Sequence, residues 1–474
     1  MRLRMLKDDA YRRYSSGPTS PKEANWNKAF FELYSRLPLP ERQARTVAYA
    51  LENEPVTIHP LETIAGQVYQ ACPGSGAIDL TGTEGDPRWD DFAVLRVAER
   101  RVAEQLPEET AYAKFFGPGA YPGHIGWDYA QMLGRGARGM IERCRVMSQK
   151  TDDPQSVEYY ACTEIVLNGL IVWVRRHAVA LREAAEEEPD STRREELQAM
   201  ANLCDRVPEN PATSFREAVQ SFHFQHLAVM FENPYGGNGP GRLDYYLWPY
   251  LESELTSGKI TREAAAEFIG ELFIKLHERI GPADGWVEAL PVGGRNPDGS
   301  SAINPLSHII LEVITELKQT HPSVYVRLHD DAPEDFVDRT VRYLLEGENR
   351  AQVYGDDATI AAVHQDGWRW RTPAIGRRGG AWRFPRRDAS AICCSLLSTT
   401  WRGPLSLSST EGVCCKRESR PSITPKPLPT MTALRSCTPT LRKSLSVNSA
   451  SECEGSTSIS TAMQSSVRLS CFPA

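Results

Sequence analysis

Long hydrophobic runs are scarce in this chain of 474 residues. The most apolar stretch, residues 165–174, has about half of the ~20 residues that a membrane-spanning helix needs. The basic residues 1–7 are not followed by the apolar segment that secretory signals carry. Since 41% of the residues are hydrophobic and 24% are charged, as in globular chains, we expect a soluble, cytoplasmic protein with no membrane partner.

Metal-ligand spacings and phosphate-binding loops are also missing. The four cysteines of residues 1–367 are scattered, which argues against a zinc site or a disulfide framework. The glycine-rich segment 236–242 lacks the Gly-Lys-Ser/Thr ending of a nucleotide-binding loop. We interpret it as a tight loop that lets the backbone approach a ligand or a neighbouring segment.

Composition and charge change abruptly after Gly367. Residues 1–367 hold 56 acidic and 38 basic residues, whereas residues 368–474 hold 5 acidic and 16 basic ones. The second segment also contains seven of the eleven cysteines and 19 serines, without helical periodicity. We therefore divide the chain into a folded domain, 1–367, and a tail, 368–474, that we expect to be disordered.

The folded domain shows the periodicity of helices with a few strands. Apolar residues recur at helical spacing, and N-terminal capping signals stand at Ser214, with Glu217, and at Thr261. From about residue 304 the order is helix, strand, helix, strand, helix, which predicts an α/β fold with a parallel sheet. The clearest segments are helices at 90–106, 158–185 and 304–318, and strands at 323–328 and 352–354.

A histidine on a constrained loop is the first candidate for a binding pocket. Residues 117–124 are rich in glycine and proline, end at His124, and lead into a helix expected near Asp128. A histidine held on such a loop is either a pocket residue or a turn histidine that faces solvent.

Three other polar groups have structural interpretations that we prefer. His223 and His226 stand three residues apart on a helix without an acidic partner at zincin spacing, as ordinary helix histidines do. The pairs 330–331 and 356–357 are aspartates that follow strands, where α/β sites lie. Helix N-capping explains both aspartate pairs.

Six segments of the folded domain form a recognisable series in their order and spacing: 122–129, 214–218, 239–244, 258–261, 293–299 and 322–329. Together they resemble one family, the glycyl radical enzymes of the pyruvate formate-lyase type, in particular their dehydratase-like members. The resemblance implies a ten-stranded barrel of two parallel half-sheets wrapped by helices, of which residues 1–367 would form an incomplete part. It also implies a homodimer.

The chemistry that the resemblance implies is radical chemistry on a small-molecule substrate. A glycyl radical, installed by a radical S-adenosylmethionine activating enzyme, passes to a cysteine. The resulting thiyl radical abstracts hydrogen, and a C–C, C–O or C–N bond is broken or formed. The resemblance places His124 and Arg242 near the substrate pocket, with an ion pair to Asp244 or another carboxylate as the favoured role of Arg242. Glycines at 236 and 237 make a small diol a less favoured substrate.

The catalytic motifs of the family do not occur in this chain. Neither Gly-Cys-Val-Glu nor an Arg-Val-x-Gly-Tyr motif is present, so we assign no catalytic, cofactor-binding or metal-binding residue. Read one frame over, however, codons for residues 378–383 can encode Gly-Gly-Cys-Val-Glu. We therefore predict that residues 368–474 are the product of a frameshift, and that the truncated chain is inactive and poorly soluble because it exposes sheet edge.

The alternative is a non-catalytic helical binding protein with a basic tail. The arginines of residues 368–474 are not interleaved with aromatic residues as in nucleic-acid-binding segments. We therefore expect no nucleic-acid partner.

Overall fold

Helices make up most of the chain that the structure describes. The computed structural model describes residues 2–16, 21–67, 88, 127–232, 239–279, 289–296, 298–347 and 351–365. The helices before the sheet are α1 (Arg2–Ser16), α2 (Lys22–Lys28, continuing into a π-helical turn at Ala29–Leu33), α3 (Leu39–Asn53), α4 (Tyr129–Ser148), α5 (Pro154–Glu187), α6 (Ser191–Arg206), α7 (Phe215–Glu232), α8 (Leu243–Tyr246), α9 (Trp248–Thr256) and α10 (Arg262–Arg279).

A three-stranded parallel sheet follows α10, with a crossover helix between successive strands. The strands run in the order β1-β2-β3, with Ala289 of β1 opposite Ser323 of β2 and Leu328 of β2 opposite Gly355 of β3. The elements are β1 (Ala289–Gly293), α11 (Pro305–Leu317), β2 (Ser323–Leu328), α12 (Glu334–Glu346), β3 (Gln352–Gly355) and α13 (Asp356–Gln365).

Local capping interactions set the ends of the crossover helix α11. The Asn304 side chain accepts hydrogen bonds from the backbone N–H groups of Leu306 and Ser307, which closes a capping box. Proline at 305 occupies the first turn, where its missing N–H costs nothing. The helix ends at Lys318, whose φ of 50° is left-handed.

The two capping signals read from the sequence are both used, one of them in a modified form. Thr261 Oγ1 accepts a hydrogen bond from Ala264 N at 3.2 Å and so caps α10. Ser214 Oγ likewise accepts from Glu217 N at 3.1 Å. The Glu217 carboxylate, however, accepts from Thr213 N at 2.7 Å, one residue earlier than a standard capping box requires.

Two hydrophobic cores hold these elements. The first surrounds the helix-covered face of the sheet, where Leu290, Val292, Val324 and Val326 are buried with residues of α10, α11 and α12. The second joins α3, α5, α6 and α7 around Trp173. The sheet edge described below is therefore attached to the first core.

Helix α5 is long and apolar enough to cross a membrane, by length and composition alone. Its Trp173, Val174 and Leu181 are buried in the second core. A single helix of this kind is weak evidence for a membrane span, and one side of α5 packs against α3 and α6.

The loop at residues 62–64, which precedes the undescribed residues 68–87, is held by charged groups of α10. Glu271 accepts hydrogen bonds from Thr63 N, Thr63 Oγ1 and Ile64 N at 2.5–2.7 Å. Lys275 Nζ lies 2.6 Å from Glu62 Oε2, with both side chains buried. Burial and the neighbouring Glu62 raise the pKa of Glu271. These bonds fix the loop against the first core.

The α/β prediction is confirmed for the part of the chain that the structure describes. The predicted strands at 323–328 and 352–354 are β2 and β3, they are parallel, and α12 connects them. Strand β1 was not among the predicted elements. The predicted helix at 90–106 and the tail 368–474 lie outside the described residues, and the closed barrel stays a prediction.

Candidate functional site at the carboxyl edge of the sheet

The carboxyl ends of the three parallel strands meet at one edge of the sheet. β1 ends at Gly293, β2 at Leu328 and β3 at Gly355. Loops that leave the carboxyl ends of parallel strands form the binding crevices of α/β folds. Polar and charged side chains are concentrated in the segments around these three ends, so we treat this edge as the candidate site.

Asp244 is fully buried beside the end of β1. Its Oδ2 accepts hydrogen bonds from Gly293 N at 2.9 Å and from Ser307 Oγ at 2.8 Å. Arg242 donates from Nε to Asp244 Oδ1 at 2.8 Å and from Nη2 to Oδ2 at 3.3 Å. Asp244 therefore ties α8, β1 and α11 together while it neutralises an arginine whose side chain is 9% exposed.

One nitrogen of Arg242 is left over from this ion pair. Its Nη1 is buried and, among the described residues, has no hydrogen-bond acceptor. A buried guanidinium N–H without an acceptor is costly, because the group loses water and gains nothing in return. Arg242 therefore offers a donor that an additional acceptor group can satisfy.

A backbone turn with positive φ makes room for a second buried arginine. Gly293 and Gly294 have φ values of 76° and 78°. A Cβ on Gly294 would lie 2.6 Å from Arg327 Cζ. The Arg327 guanidinium fills this space and donates from Nε to Asp356 Oδ1 at 2.6 Å, with both side chains 2% exposed. Glycine at 294 is thus required for Arg327 to lie at the sheet edge.

The two buried arginines influence each other electrostatically. Burial and, to a smaller extent, the positive charge of Arg242 lower the pKa of Arg327 to about 10, although the ion pair with Asp356 opposes both effects. Arg327 stays protonated at neutral pH. The edge therefore holds two buried guanidinium groups, each with its own buried aspartate.

Arg295 links the ends of all three strands on the outer side of this cluster. It follows β1, its Nε donates to Asp357 Oδ1 at 2.6 Å after β3, and its Nη2 contacts Asp331 after β2. Its backbone N–H also donates to Asp356 Oδ2 at 2.7 Å. The hydrogen bonds raise the pKa of Arg295 and lower those of Asp331 and Asp357.

His329 completes the edge after β2. Its Nε2 lies 2.9 Å from Ser301 Oγ, and its Nδ1 lies 2.9 Å from Asp331 Oδ1. Both ring nitrogens are engaged, and the side chain is buried. The imidazole is therefore held in one orientation by groups from the β1 and β2 ends.

The chemistry that this edge can perform is recognition of a polar organic group. Within the described ranges, no set of three or more histidine, cysteine or acidic side chains is placed to hold a metal ion. The aspartates already accept from arginines, whereas Arg242 Nη1 has no acceptor in the part of the chain that the structure describes. A carboxylate, sulfonate or hydroxyl oxygen fits that donor better than a cation does.

Of the two residues placed near the pocket by sequence, the structure describes one. His124 lies outside the described residues. Arg242 makes the favoured ion pair with Asp244. Contact of His124 or Arg242 with substrate stays a prediction.

The two helix histidines have separate partners. His223 Nε2 lies 2.9 Å from the Gly66 carbonyl oxygen, and His226 Nδ1 lies 2.7 Å from the Tyr129 hydroxyl. Both are buried, and they bind different elements of the fold. The structure gives them the role of core histidines.

Helix capping is the wrong interpretation for Asp331. α12 begins after Pro333, without a side-chain capping bond, and the Asp331 carboxylate instead binds Arg295 and His329. No pattern in the sequence marks Arg295 or Arg327 as site residues. The signal that the sequence offers is indirect. Buried carboxylates at strand ends need cationic partners, and both arginines lie near the end of a strand.

Comparison with known proteins connects these residues to a family. Residues 87–400 match the family model described as pyruvate formate lyase-like. Isethionate sulfite-lyase of Nitratidesulfovibrio vulgaris is 30% identical over 252 residues, which are 49% of this chain and 30% of that protein. Trans-4-hydroxy-L-proline dehydratase of Clostridioides difficile is 28% identical over 228 residues, 46% of this chain and 28% of that protein.

Solved structures agree with this assignment at the level of fold. A glycyl radical enzyme from Archaeoglobus fulgidus matches with a TM-score of 0.68 and 24% identity, over 78% of this chain and 53% of that chain. A Roseburia inulinivorans structure described for 1,2-propanediol dehydration matches with a TM-score of 0.67 and 25% identity, over 78% of this chain and 52% of that one. The present chain thus spans about half the length of these solved relatives.

The family model covers more than half of the chain and includes the whole polar edge, from Arg242 to Asp357. The chain belongs to the pyruvate formate lyase-like family of glycyl radical enzymes.

Proposed function

We propose that this chain is part of a glycyl radical lyase or dehydratase that cleaves a C–C, C–O, C–N or C–S bond of a small molecule. The observation that carries the proposal is the family match over residues 87–400, which contain the buried polar edge. The C–S case is included because a relative is named isethionate sulfite-lyase. We further propose a cytoplasmic, oxygen-sensitive homodimer that is activated by a radical S-adenosylmethionine enzyme.

The proposed role of the present residues is to bind and orient the substrate. The radical, supplied by the glycine and cysteine motifs of the family, removes a hydrogen atom from the bound molecule. Arg242 would donate from Nη1 to an oxygen of the substrate, while Asp244 holds the guanidinium in place. Arg327 and Asp356 form a second fixed pair beside it. His124 is the other side chain that we propose to contact substrate.

The Arg242 Nη1 donor, which has no acceptor among the described residues, favours a substrate with an anionic group over a small neutral diol. A buried arginine N–H gains most from a charged acceptor, because charge-assisted hydrogen bonds are the stronger ones. One relative is named (2S)-3-sulfopropanediol dehydratase, and it is 26% identical over 262 residues. We therefore place sulfonates and carboxylates first among the substrates to be tested.

We also propose that the chain of 474 residues does not turn over substrate by itself. It contains neither Gly-Cys-Val-Glu nor the Arg-Val-x-Gly-Tyr motif. Residues 368–474 are, in this proposal, translated out of frame, although the family match extends to residue 400. Sequencing the locus around the Gly367 codon tests that part directly. An insertion or deletion, followed by an open frame that restores both motifs, supports it, and a frame interrupted by stop codons contradicts it.

The functional test compares the chain with its restored-frame counterpart. Both proteins are incubated without oxygen with an activating enzyme and S-adenosylmethionine, and the glycyl radical is measured by electron spin resonance. Turnover is then measured with isethionate, 3-sulfopropanediol, trans-4-hydroxy-L-proline, glycerol and 1,2-propanediol. We expect a radical and turnover for the restored protein alone. A radical in the 474-residue chain contradicts the proposed inactivity, and no turnover by the restored protein contradicts the proposed function.

A further inference from the structure

A serine, a histidine and an aspartate form a hydrogen-bonded series at the carboxyl edge of the sheet. Ser301 Oγ lies 2.9 Å from His329 Nε2, and His329 Nδ1 lies 2.9 Å from Asp331 Oδ1. The series is separate from the two buried arginine–aspartate pairs of the same edge. This order, with each ring nitrogen facing a different partner, is the arrangement that activates the nucleophile of serine hydrolases.

The aspartate determines which ring nitrogen of the histidine carries the proton. Hydrogen bonding to Arg295 lowers the pKa of Asp331, so its side chain is a carboxylate at neutral pH and only accepts. His329 Nδ1 must therefore be the donor in this contact, which makes Nε2 of the neutral ring an acceptor. The Ser301 hydroxyl then donates to Nε2, and Nε2 is placed to take its proton.

A short loop holds Ser301 where a reagent can reach it. Residues 295 and 301 form an antiparallel bridge, and Asn296 Nδ2 donates to Ser301 O at 3.1 Å. The backbone N–H of Ile303 donates to Ser301 Oγ at 3.3 Å, which leaves the hydroxyl proton for His329. Ser301 is exposed, whereas the His329 side chain is buried. The nucleophile therefore faces solvent while its base is fixed in the fold.

We propose that Ser301, His329 and Asp331, here called the serine triad, form a hydrolytic site for small carboxylic esters. Ser301 Oγ is the nucleophile, His329 Nε2 is the general base, and Asp331 is a positioning residue. Short acyl groups suit the site, because the neighbouring loop residues Asp298 and Ser300 are polar and exposed. This activity is additional to the proposed radical function and needs no activating enzyme.

The reaction has two steps, and water is its co-reactant. Ser301 Oγ attacks the ester carbonyl carbon and passes its proton to His329 Nε2. A C–O bond forms to the serine, the ester C–O bond breaks, and the alcohol leaves with the proton from Nε2. Water then attacks the acyl-serine and gives a proton to Nε2. The carboxylic acid is released as Ser301 Oγ recovers that proton.

Two reagents test the proposal on the full chain of 474 residues. Hydrolysis of p-nitrophenyl acetate is followed by release of p-nitrophenolate. Phenylmethylsulfonyl fluoride, which loses fluoride when a serine oxygen attacks its sulfur, is used as the covalent label. Peptide mapping by mass spectrometry then locates the label. We expect one sulfonyl group per chain, at Ser301, and we expect the labelled chain to lose its esterase activity.

Variants at the nucleophile and the base separate the serine triad from other surface nucleophiles. We expect Ser301→Ala and His329→Gln each to lower the rate of ester hydrolysis by at least about tenfold, as loss of a general base does. The matched control is Ser300→Ala, one residue away on the same loop. Ser300 Oγ donates to Asp298 Oδ1 at 2.6 Å instead of to a histidine, so this control should leave the rate unchanged.

Asp331 is tested through the ring proton that it positions. The carboxamide in Asp331→Asn can donate to His329 Nδ1, which moves the ring proton to Nε2 and removes the base. We expect this variant to lose esterase activity while it stays folded, and Asp331→Glu to restore part of the activity. A purely structural role of Asp331 would give no such rescue.

Three results would overturn the proposal. They are a label on side chains other than Ser301, an unchanged rate of ester hydrolysis in Ser301→Ala, and equal losses of rate in Ser300→Ala and Ser301→Ala. Mapping of the label on the unaltered chain covers the case in which His329→Gln misfolds. Since neither reagent requires a radical, a failure of radical formation or turnover in the functional test leaves these results unchanged.

Discussion

The two edges of the three-stranded sheet are finished in different ways. At the β1 edge, Gly241 N donates to Ala289 O at 3.3 Å, and a Cβ on Gly239 would lie 2.2 Å from the same oxygen. Asp244 also accepts a hydrogen bond from Gly293 N at the end of β1. At the β3 edge, Val353 is 37% exposed and no described strand follows. The β1 edge is therefore covered by residues 239–244, which lie before it in the chain, whereas the β3 edge has no pairing strand among the described residues.

The largest expected effect is at Asp244, which anchors the closed edge. Replacing it with alanine in Asp244→Ala leaves Arg242 buried without its partner and removes the acceptor of Gly293 N and Ser307 Oγ. We expect a loss of about 3–5 kcal/mol in the free energy of unfolding, as for other broken buried ion pairs. Urea denaturation followed by circular dichroism measures it.

An exposed ion pair provides the control for that loss. Arg182 and Asp205 contact each other with side chains 38% and 47% exposed. Asp205→Ala should therefore cost less than about 1 kcal/mol. Equal losses of unfolding free energy in Asp244→Ala and Asp205→Ala would contradict the prediction that the buried ion pair stabilises the fold more than the exposed one.

The second prediction concerns the space that Gly294 leaves for Arg327. Gly294→Ala would place a Cβ 2.6 Å from Arg327 Cζ at a residue with φ of 78°. We expect a loss of about 2–4 kcal/mol, from backbone strain together with displacement of the buried Arg327–Asp356 pair. The measurement is again urea denaturation.

Gly258 gives a matched control, because its φ is 68° and a Cβ there would meet nothing within 4 Å. Gly258→Ala tests backbone strain alone and should cost about 1 kcal/mol. If both variants lose the same free energy, the contact with Arg327 is not what requires glycine at 294.

Local patterns account for the parts of the fold that the sequence predicted. Strand β2 alternates along 323–328, and α11 and α12 show helical periodicity, so these elements could be read directly. β1 could not, because residues 289–293 contain no polar side chain and include a proline, so they show no alternation of polar and apolar residues. A parallel strand covered on both faces has no alternation to detect.

The ion pairs of the candidate site likewise include one that the sequence could predict and others that it could not. Arg242 and Asp244 are two residues apart, and their ion pair could be anticipated. Arg327 and Asp356 are 29 residues apart, and Arg295 and Asp357 are 62 apart. Such pairs arise only when the parallel register brings strand ends together, which single-sequence patterns do not encode.

The third prediction contrasts the carboxyl edge with the amino end of the strands. There the ring of His277 lies 6.1 Å from that of His321, between centroids. Burial, with a smaller contribution from Lys7, lowers the pKa of His277 to about 4. In the unfolded chain His277 takes up a proton near pH 6.5, whereas in the folded chain it stays neutral down to about pH 4. The free energy of unfolding is therefore highest above pH 6.5 and decreases as the pH falls toward 4.

The contribution of His277 should lower the free energy of unfolding by about 2 kcal/mol between pH 7 and pH 5. His277→Gln should remove that part of the pH dependence. Burial also lowers the pKa of His177, in the second core, to about 4, so a similar slope remains until His177→Gln is added. A pH profile that neither variant flattens would contradict the assignment. The measurement is the free energy of unfolding across this pH range.

The smallest effect is expected at the ion pair that links the end of β1 to the end of β2. Arg295, after β1, reaches Asp331, whose side chain is 71% exposed. The Arg295 hydrogen bond lowers the pKa of Asp331, so its stabilisation is present above the unfolded pKa of about 3.9 and is lost as the pH falls through the folded value. Asp331→Asn should therefore lower Tm only slightly at pH 7, and the difference from the unaltered chain should disappear as the pH falls through the folded pKa of Asp331. Added salt should reduce the small difference at pH 7, since exposed pairs are screened. A large, salt-independent drop in Tm would mean that this ion pair, rather than the buried Asp244, holds the strand ends together.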